Sequence, residues 1–365
     1  MSGTSMDAID VALVDINSQT VTTLVYQQFP IPHHIQQRVR TVDVTSSIEE
    51  ITELDAIMAN LFADAVCTLV SSSDIKAEDI VAIGSHGQTV LHLPDDTHPR
   101  TLQIGDANII ANRTGITTVA DFRRMDIAAG GQGAPLAPGF HAWYFRSHHE
   151  KQVILNIGGM ANLTILYGKE IIGFDSGPGN ALLDEWIQQH KNLEFDRDGV
   201  WAKSGLVDKS LLESMLNYSY LSKQPPKSTG RDEFNVNWLN HLIDQCTVKP
   251  SAANVQATLL QFTAQSIANA VRDYAEDADE ILVCGGGCHN VALMVALEKL
   301  LKDKLICSTD KRGIDPDAME AIAFAWLAKQ RLEGRSGNLP SVTGATRSVI
   351  LGAVYEPSEK LKGKS

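Results

Sequence analysis

Phe174-Asp175-Ser176-Gly177-Pro178-Gly179-Asn180 decides how this 365-residue chain is read. The apolar run at 171–174 has the composition of a buried strand, and residues 180–189 have helical spacing. The segment therefore carries Asp175 at the end of a strand, and Gly177-Pro178-Gly179 opens a helix at Asn180. A helix N-terminus presents unpaired N–H groups and the positive end of the backbone dipole, which suits a phosphate. An aspartate at that strand end is placed to act as a base. The plain alternative is a helix-capping aspartate.

Two further glycine-rich loops widen the reading. Gly3-Thr4-Ser5-Met6-Asp7-Ala8-Ile9-Asp10 runs into an alternating strand pattern. The hydroxyls of Thr4 and Ser5, with nearby amides, suit a phosphate; Asp7 and Asp10 suit a metal or a hydrogen-bonded loop. A hairpin turn would account for the same residues. Val283-Cys284-Gly285-Gly286-Gly287-Cys288-His289-Asn290 sets a glycine triplet between a strand and a helix. Glycine lets a flat ring or a phosphate come close to the backbone, and equally permits a tight strand–helix turn. The run departs from the dinucleotide fingerprint, since no βαβ unit with a downstream acid accompanies it. Three such loops together point to a nucleotide held in a cleft between two lobes.

Between the loops, strands alternate with helices, which argues for α/β layering. Strands are expected at 8–16 and 21–27, with shorter ones at 80–83, 101–104 and 117–120. A helix is expected at 48–70, with Ser46 or Ser47 as cap and Glu49 and Glu50 in its first turn. A second series has strands at 153–157, 163–167, 171–174, 281–283 and 305–308. Its helices fall at 180–189, 254–274, 291–301 and 316–332, the last stopping at Gly334. Residues 191–250 read as polar and irregular.

The totals narrow the function. The net charge of −13 argues against a nucleic-acid or anionic-membrane partner, both of which need basic patches. No window approaches the roughly 18 uninterrupted apolar residues of a membrane span, and no leader pattern opens the chain. Five irregularly spaced cysteines read as reduced thiols of the cytoplasm. Cys284 and Cys288 lack a second pair, so zinc is disfavoured.

Two polar clusters stand at strand ends, where recognition residues gather: Gly84-Ser85-His86-Gly87-Gln88-Thr89 and Asp121-Phe122-Arg123-Arg124-Met125-Asp126. Arg123 can grip a carboxylate with two N–H groups, or form a structural salt bridge with Asp121 or Asp126. His86 and His92 could ligate a metal, but a solvated or packed histidine accounts for each as well or better. Glu320 stands in the first turn of a helix, where a carboxylate serves the dipole.

Taken together, seven segments resemble one family. They are Met1-Ser2-Gly3-Thr4-Ser5-Met6-Asp7, Gly84 to Thr89, Asp121-Phe122-Arg123, Asn156-Ile157-Gly158-Gly159-Met160-Ala161-Asn162-Leu163-Thr164, Asp175 to Asn180, Gln256-Ala257-Thr258-Leu259 and Glu320-Ala321-Ile322-Ala323-Phe324. The chain is similar to bacterial anhydro-N-acetylmuramic acid kinases from Met1 to about residue 353. The resemblance implies a two-lobed actin-like, ribonuclease H-like ATPase fold with an ATP cleft between lobes. The first lobe would hold residues 1–120 with 316–365, and the second 121–315. It implies ATP and Mg²⁺ as cofactors, a cytoplasmic homodimer, and 1,6-anhydro-N-acetylmuramic acid as substrate, with a role in cell-wall recycling. Asp175 would be the catalytic base. Gln88, Thr89, Arg123, Asp175 and Glu320 would contact the sugar. The nucleotide would lie against Gly3, Thr4, Ser5, Met6, Asp7, Ala8, Ile9, Asp10, Asn156, Gly158, Gly159, Gly177, Gly179, Asn180, Gly285, Gly286, Gly287 and Asn290. Asp7 and Asp175 would hold Mg²⁺ through water.

Two departures accompany the resemblance. The family has a strand ahead of the Met-Ser-Gly-Thr-Ser segment, where this chain has only Met1; the expectation is a start assigned too late. Ala8 stands where the family has glycine. If that position needs φ > 0, Ala8 costs about 1–2 kcal/mol. A catalytically weak ATP-binding clamp of the same superfold, or a kinase for another sugar, are the competing readings.

Overall fold

The computed structural model describes residues 1–3, 6, 8–18, 20–146, 151–167 and 170–358, Glu170 by its backbone alone. The strands are, in chain order, β1 Ala8–Ile16, β2 Val21–Pro30, β3 Ile83–Gly84, β4 Gln88–Leu93, β5 Arg100–Ile104 and β6 Thr118–Ala120. There follow β7 Gln152–Ile157, β8 Met160–Tyr167, β9 Glu170–Pro178, β10 Glu280–Cys284, β11 Leu305–Ser308 and β12 Ala353–Tyr355. They fall into two compact units, Met1–Tyr144 with Ala318–Ser365, and Phe145–Asp317. Residues 121–144 thus lie with the first unit, not with the second lobe as the sequence boundary has them. The reason is packing. Phe140 and Trp143 pack on Trp326, and Asp126 accepts hydrogen bonds from Asn338 and Thr343.

The second unit is built on one five-stranded sheet, ordered β11-β10-β7-β8-β9. β8 runs antiparallel to β7 and β9, while β10 and β11 run parallel to β7. Numbered within the unit this is 3-2-1-4-5 with the second strand reversed, the order of ribonuclease H-like domains. Parallel neighbours need a crossover, and the helical segment between β9 and β10 supplies it. All six residues of β7 are buried, as befits a central strand covered on both faces. Helix Ala252–Ala275, capped by Ser251 accepting from the Asn254 N–H, lays Leu259, Phe262, Ile267 and Val271 into this core. The stretch read as irregular contains helices Val200–Ser204, Lys209–Leu216 and Val236–Gln245.

In the first unit, helix Ile48–Ser71 is capped by Ser47 and buries Leu54, Met58, Phe62 and Leu69. By length and composition alone it could cross a membrane. Its buried face belongs to the first unit's core, and Asp64 on its outer side pairs with Arg113. That is the pattern of an apolar core helix. Helix Met319–Leu332 starts three residues later than expected and gives way to Gly334 at φ 67°.

The strands of this unit form three sheets: β1-β2, β12-β6-β3 and the β4-β5 hairpin. Among the described residues, no ladder joins β1 to β3. In the second unit β7 bridges the strands at the corresponding positions, β8 and β10. Met1 and Asp10 exchange two backbone hydrogen bonds, 2.9 and 2.8 Å, as a close antiparallel pair does. Helix Met319–Leu332 backs both β1 and β3, and a Cβ at Gly84 would stand 2.2 Å from the Phe324 carbonyl oxygen.

Candidate active site

Asp175 does not end its strand. β9 continues to Pro178 past a register shift between Ala161 and Asn162, which sets Asp175 opposite Asn162. A bulge of this kind re-aims a side chain. The strand is clamped at Asp175 by the segment 220–229. The Asp175 N–H donates to the Lys227 carbonyl (3.1 Å), its carbonyl accepts from the Tyr220 hydroxyl (2.9 Å), and Oδ2 accepts from the Thr229 N–H (2.9 Å). Burial pushes the Asp175 carboxyl up to about 7, against the Thr229 N–H and the charge of Lys227. A carboxyl poised near neutrality is suited to general base work.

The glycines around it form one knot. Gly179 and Ala181 donate their N–H groups to the Gly159 carbonyl, at 2.9 and 3.1 Å, and Asn180 donates to Gly158 at 2.8 Å. A Cβ on Gly179 would sit 2.3 Å from the Gly158 oxygen. The Gly158-Gly159 turn thus takes the N–H groups of Gly179 and Asn180, and that of Ala181 at the start of helix Ala181–Lys191. Gly177 adopts φ 145°, beyond the reach of other residues.

The glycine triplet follows β10. Gly285 has φ 78°, and a Cβ there would lie 2.3 Å from Asn156 Oδ1. One on Gly287 would lie 2.3 Å from Ile157 Cγ2. Gly286 meets nothing within 4 Å and is exposed. Two glycines are thus required by packing, and the third leaves an open approach to the backbone. The Asn290 side chain accepts from the Leu293 N–H and caps helix Val291–Leu300. Cys288 is a free thiol pushed up to about 12, by burial first and then by Asp317, Asp310 and Asp315, a poor thiolate ligand.

The first unit carries the remaining candidates. Thr4, Ser5 and Asp7 lie outside the described residues. Met6 has φ 58°, whereas Ala8 is an ordinary β1 residue opposite Pro30. Ala8 therefore carries no left-handed penalty. Ile9 is buried, and Asp10 accepts from the Tyr26 hydroxyl (2.7 Å) and Gln28 Nε2 (2.9 Å) on β2. Arg123 forms no salt bridge with Asp121 or Asp126: Asp121 pairs with Arg124, and Asp126 is used by Asn338, Thr343 and the Gly133 N–H. Arg123 instead donates to His86 Nε2 (2.8 Å from Nη2) and to the Gly133 carbonyl (2.8 Å). Burial draws its pKa down to about 10, with Glu320 and Asp126 opposing. His86, packed against Phe324, is kept neutral, chiefly by burial and then by Arg123, so it can accept that bond. Gly3 lies beside Glu320, whose Oε2 would be 3.9 Å from a Cβ there. Gln88 is buried with an Oε1 that finds no protein partner, and the Thr89 hydroxyl accepts from Gln103.

The sequence reading overlooked Lys227, Tyr220 and Thr229, which it left inside a loop, and the parts of His86 and Asp126 in bracing Arg123. Only the lysine between Pro225-Pro226 and Ser228-Thr229-Gly230 offers a signal, a cation in a segment otherwise built for turning.

A family model described as Anhydro-N-acetylmuramic acid kinase matches residues 1–357. The chain belongs to the anhydro-N-acetylmuramic acid kinase family. Curated members include the protein of Vibrio cholerae, 47% identical over 98% of this chain and 97% of that one. The Coxiella burnetii member is 48% identical over 97% and 96%. The family is one of sugar kinases, and its match along the chain leaves the clamp reading without favour. Solved structures align only loosely. The Acidaminococcus fermentans (R)-2-hydroxyglutaryl-CoA dehydratase component A covers 87% of this chain and 99% of its own at TM-score 0.41 and 10% identity. A glucokinase of the ROK family from Streptomyces griseus covers 82% and 90% at TM-score 0.34 and 15%. At those scores nothing follows for this member of the kinase family.

Proposed function

We propose that the chain converts 1,6-anhydro-N-acetylmuramic acid, ATP and water into N-acetylmuramic acid 6-phosphate and ADP, as a cytoplasmic homodimer serving cell-wall recycling. Asp175 takes a proton from the water that attacks C1. The C1–O6 bond breaks, and O6 takes the γ-phosphoryl group. The half-buried Asp175, clamped at the β9 bulge with Oδ2 on the Thr229 N–H, is the observation that carries this reading. Proton transfer to a placed base is worth roughly 10²–10⁴ in rate. In-line positioning of sugar and nucleotide supplies the larger part.

The phosphates fall to the 3–10 loop and to the Gly158-Gly159 turn with Gly177, Gly179 and Asn180, and the adenosine to Gly285-Gly286-Gly287 with Asn156 and Asn290. The open face of Gly286 supports the adenosine assignment. Gln88, Thr89, Arg123 and Glu320 hold the sugar; the partnerless Gln88 Oε1 and the braced Arg123 guanidinium support this. Among the described residues no group of three His, Cys, Asp or Glu side chains could hold a metal. That does not fit a protein-built metal centre. The Mg²⁺ reading is of an ion carried by the nucleotide, with Asp7 and Asp175 reached only through water.

The test is ADP release with Mg-ATP, with and without the anhydro sugar, run in ¹⁸O-water. The label is expected in the C1 hydroxyl of the product. ADP release indifferent to the sugar, or label in the phosphate, would overturn the reading.

A further inference from the structure

We propose that His289 reads the base of the nucleotide: its Nδ1 accepts a hydrogen bond from the 6-amino group of adenine and disfavours purines that carry an oxygen there. The inference rests on the reading that the adenosine lies against Gly285-Gly286-Gly287. Gly286–His289 is a single 3₁₀ turn. The Cys288 N–H donates to the Gly285 carbonyl (3.0 Å) and the Asn290 N–H to the Gly287 carbonyl (3.1 Å). Three residues complete one turn of such a helix, so positions three apart project on the same side. His289 therefore projects on the side of Gly286, the glycine whose face is open. Its side chain is 61% exposed, so a ligand on that face can reach the ring.

The ring is held in one orientation. Nε2 lies 2.9 and 3.0 Å from the two carboxylate oxygens of Asp317. The Asp317 N–H donates to Asp315 Oδ1 (2.9 Å), and the Pro316 carbonyl accepts from the Gly285 N–H (3.0 Å). The segment 315–317 is thus tied to the glycine turn twice, at Gly285 and at His289. A carboxylate only accepts, so in the neutral imidazole the proton sits on Nε2 and Nδ1 offers a lone pair. Adenine presents an N–H at position 6, where guanine and hypoxanthine present an oxygen. The Nδ1 lone pair bonds the first and opposes the second. A plain surface pair between His289 and Asp317 accounts for the contact alone, is worth little, and predicts no dependence on the base.

The experiment compares Kd for ATP and for inosine triphosphate (ITP) in the wild type, His289→Phe and Asp317→Asn, by calorimetry without sugar. It is run at pH 8, above the usual imidazole range. ITP differs from ATP at position 6 and in the ring proton that accompanies the oxygen. The wild type is expected to prefer ATP by about 10- to 100-fold, the worth of a hydrogen bond made in one case and left unmade in the other. His289→Phe keeps a ring and loses both nitrogens, and its preference is expected to fall to within about threefold. An amide both donates and accepts, so Asp317→Asn frees the ring to carry its proton on Nδ1 and meet the ITP oxygen. ITP is expected to bind that variant about threefold or more tighter than it binds the wild type. An unchanged preference in His289→Phe, or equal weakening of both nucleotides in Asp317→Asn, would overturn the proposal. Sugar-dependent ADP release, measured beside it, reports on the kinase reading separately. Release with no preference between ATP and ITP overturns the base reading and leaves the kinase. A preference that follows His289, without sugar-dependent release, overturns the kinase and leaves the base reading.

Discussion

Asp175 sets stability against activity. Its folded pKa is raised by burial, so its contribution to folding is full below the ordinary 3.8 and is lost as pH rises through about 7. On the proposed mechanism the same carboxylate is needed for turnover. Asp175→Asn is therefore expected to lose turnover by 10²-fold or more while binding ATP normally, and to melt higher than the wild type at pH 8 but not at pH 4. Parallel thermal scans and ATP titrations check this, and a variant that melts lower at pH 8 would contradict the burial argument. Arg123 makes the second residue-scale case. Its two braces, His86 and the Gly133 carbonyl held through Asp126, fix the guanidinium without neutralising it. Arg123→Ala is expected to raise KM for the sugar about 10- to 100-fold, the worth of a charged hydrogen bond, with KM for ATP nearly unchanged. Equal effects on both constants would remove it from the sugar site.

Within elements, the glycine triplet separates packing from approach. Gly287→Ala must displace Ile157 from the end of β7, so it is expected to lower the melting temperature as well as activity. Gly286→Ala meets open space, so it is expected to fold normally and raise KM for ATP alone. Melting curves beside ATP kinetics distinguish the two, and identical behaviour would contradict the assignment of Gly286 to nucleotide approach. The same contrast explains what could be read beforehand. Helices Ile48–Ser71 and Ala252–Ala275 repeat their apolar face over many turns, and both were legible. Lys209–Leu216 and Val236–Gln245 bury only Leu211 with Met215, and Val236 with Leu239, too few repeats to show a period. Asp175 could be proposed from the sequence because strand, acid and glycines adjoin there. Lys227 could not, because a loop brings it to β9 from fifty residues away.

At the scale of the whole molecule, the second unit has a central strand, and among the described residues the first lacks a ladder between β1 and β3. The Met1 amine occupies the start of that interval, hydrogen-bonded to the Asp10 carbonyl, with its pKa lowered by burial against the pull of Asp10 and Glu320. A cation whose folded pKa is depressed loses stability as pH falls, since the unfolded chain binds the proton more readily. The chain as given is thus expected to gain stability as pH rises toward the ordinary value of 8.0. An extended, β-branched segment of about six residues placed ahead of Met1 would remove the buried amine and offer N–H and C=O groups to both β1 and β3. That extended chain is expected to melt several degrees higher near pH 6 and to lose the rise between pH 6 and 8. Thermal denaturation of both chains across this range is the measurement. If the extension leaves the melting temperature and its pH slope unchanged, β1 and β3 do not form the two sides of a place for a strand.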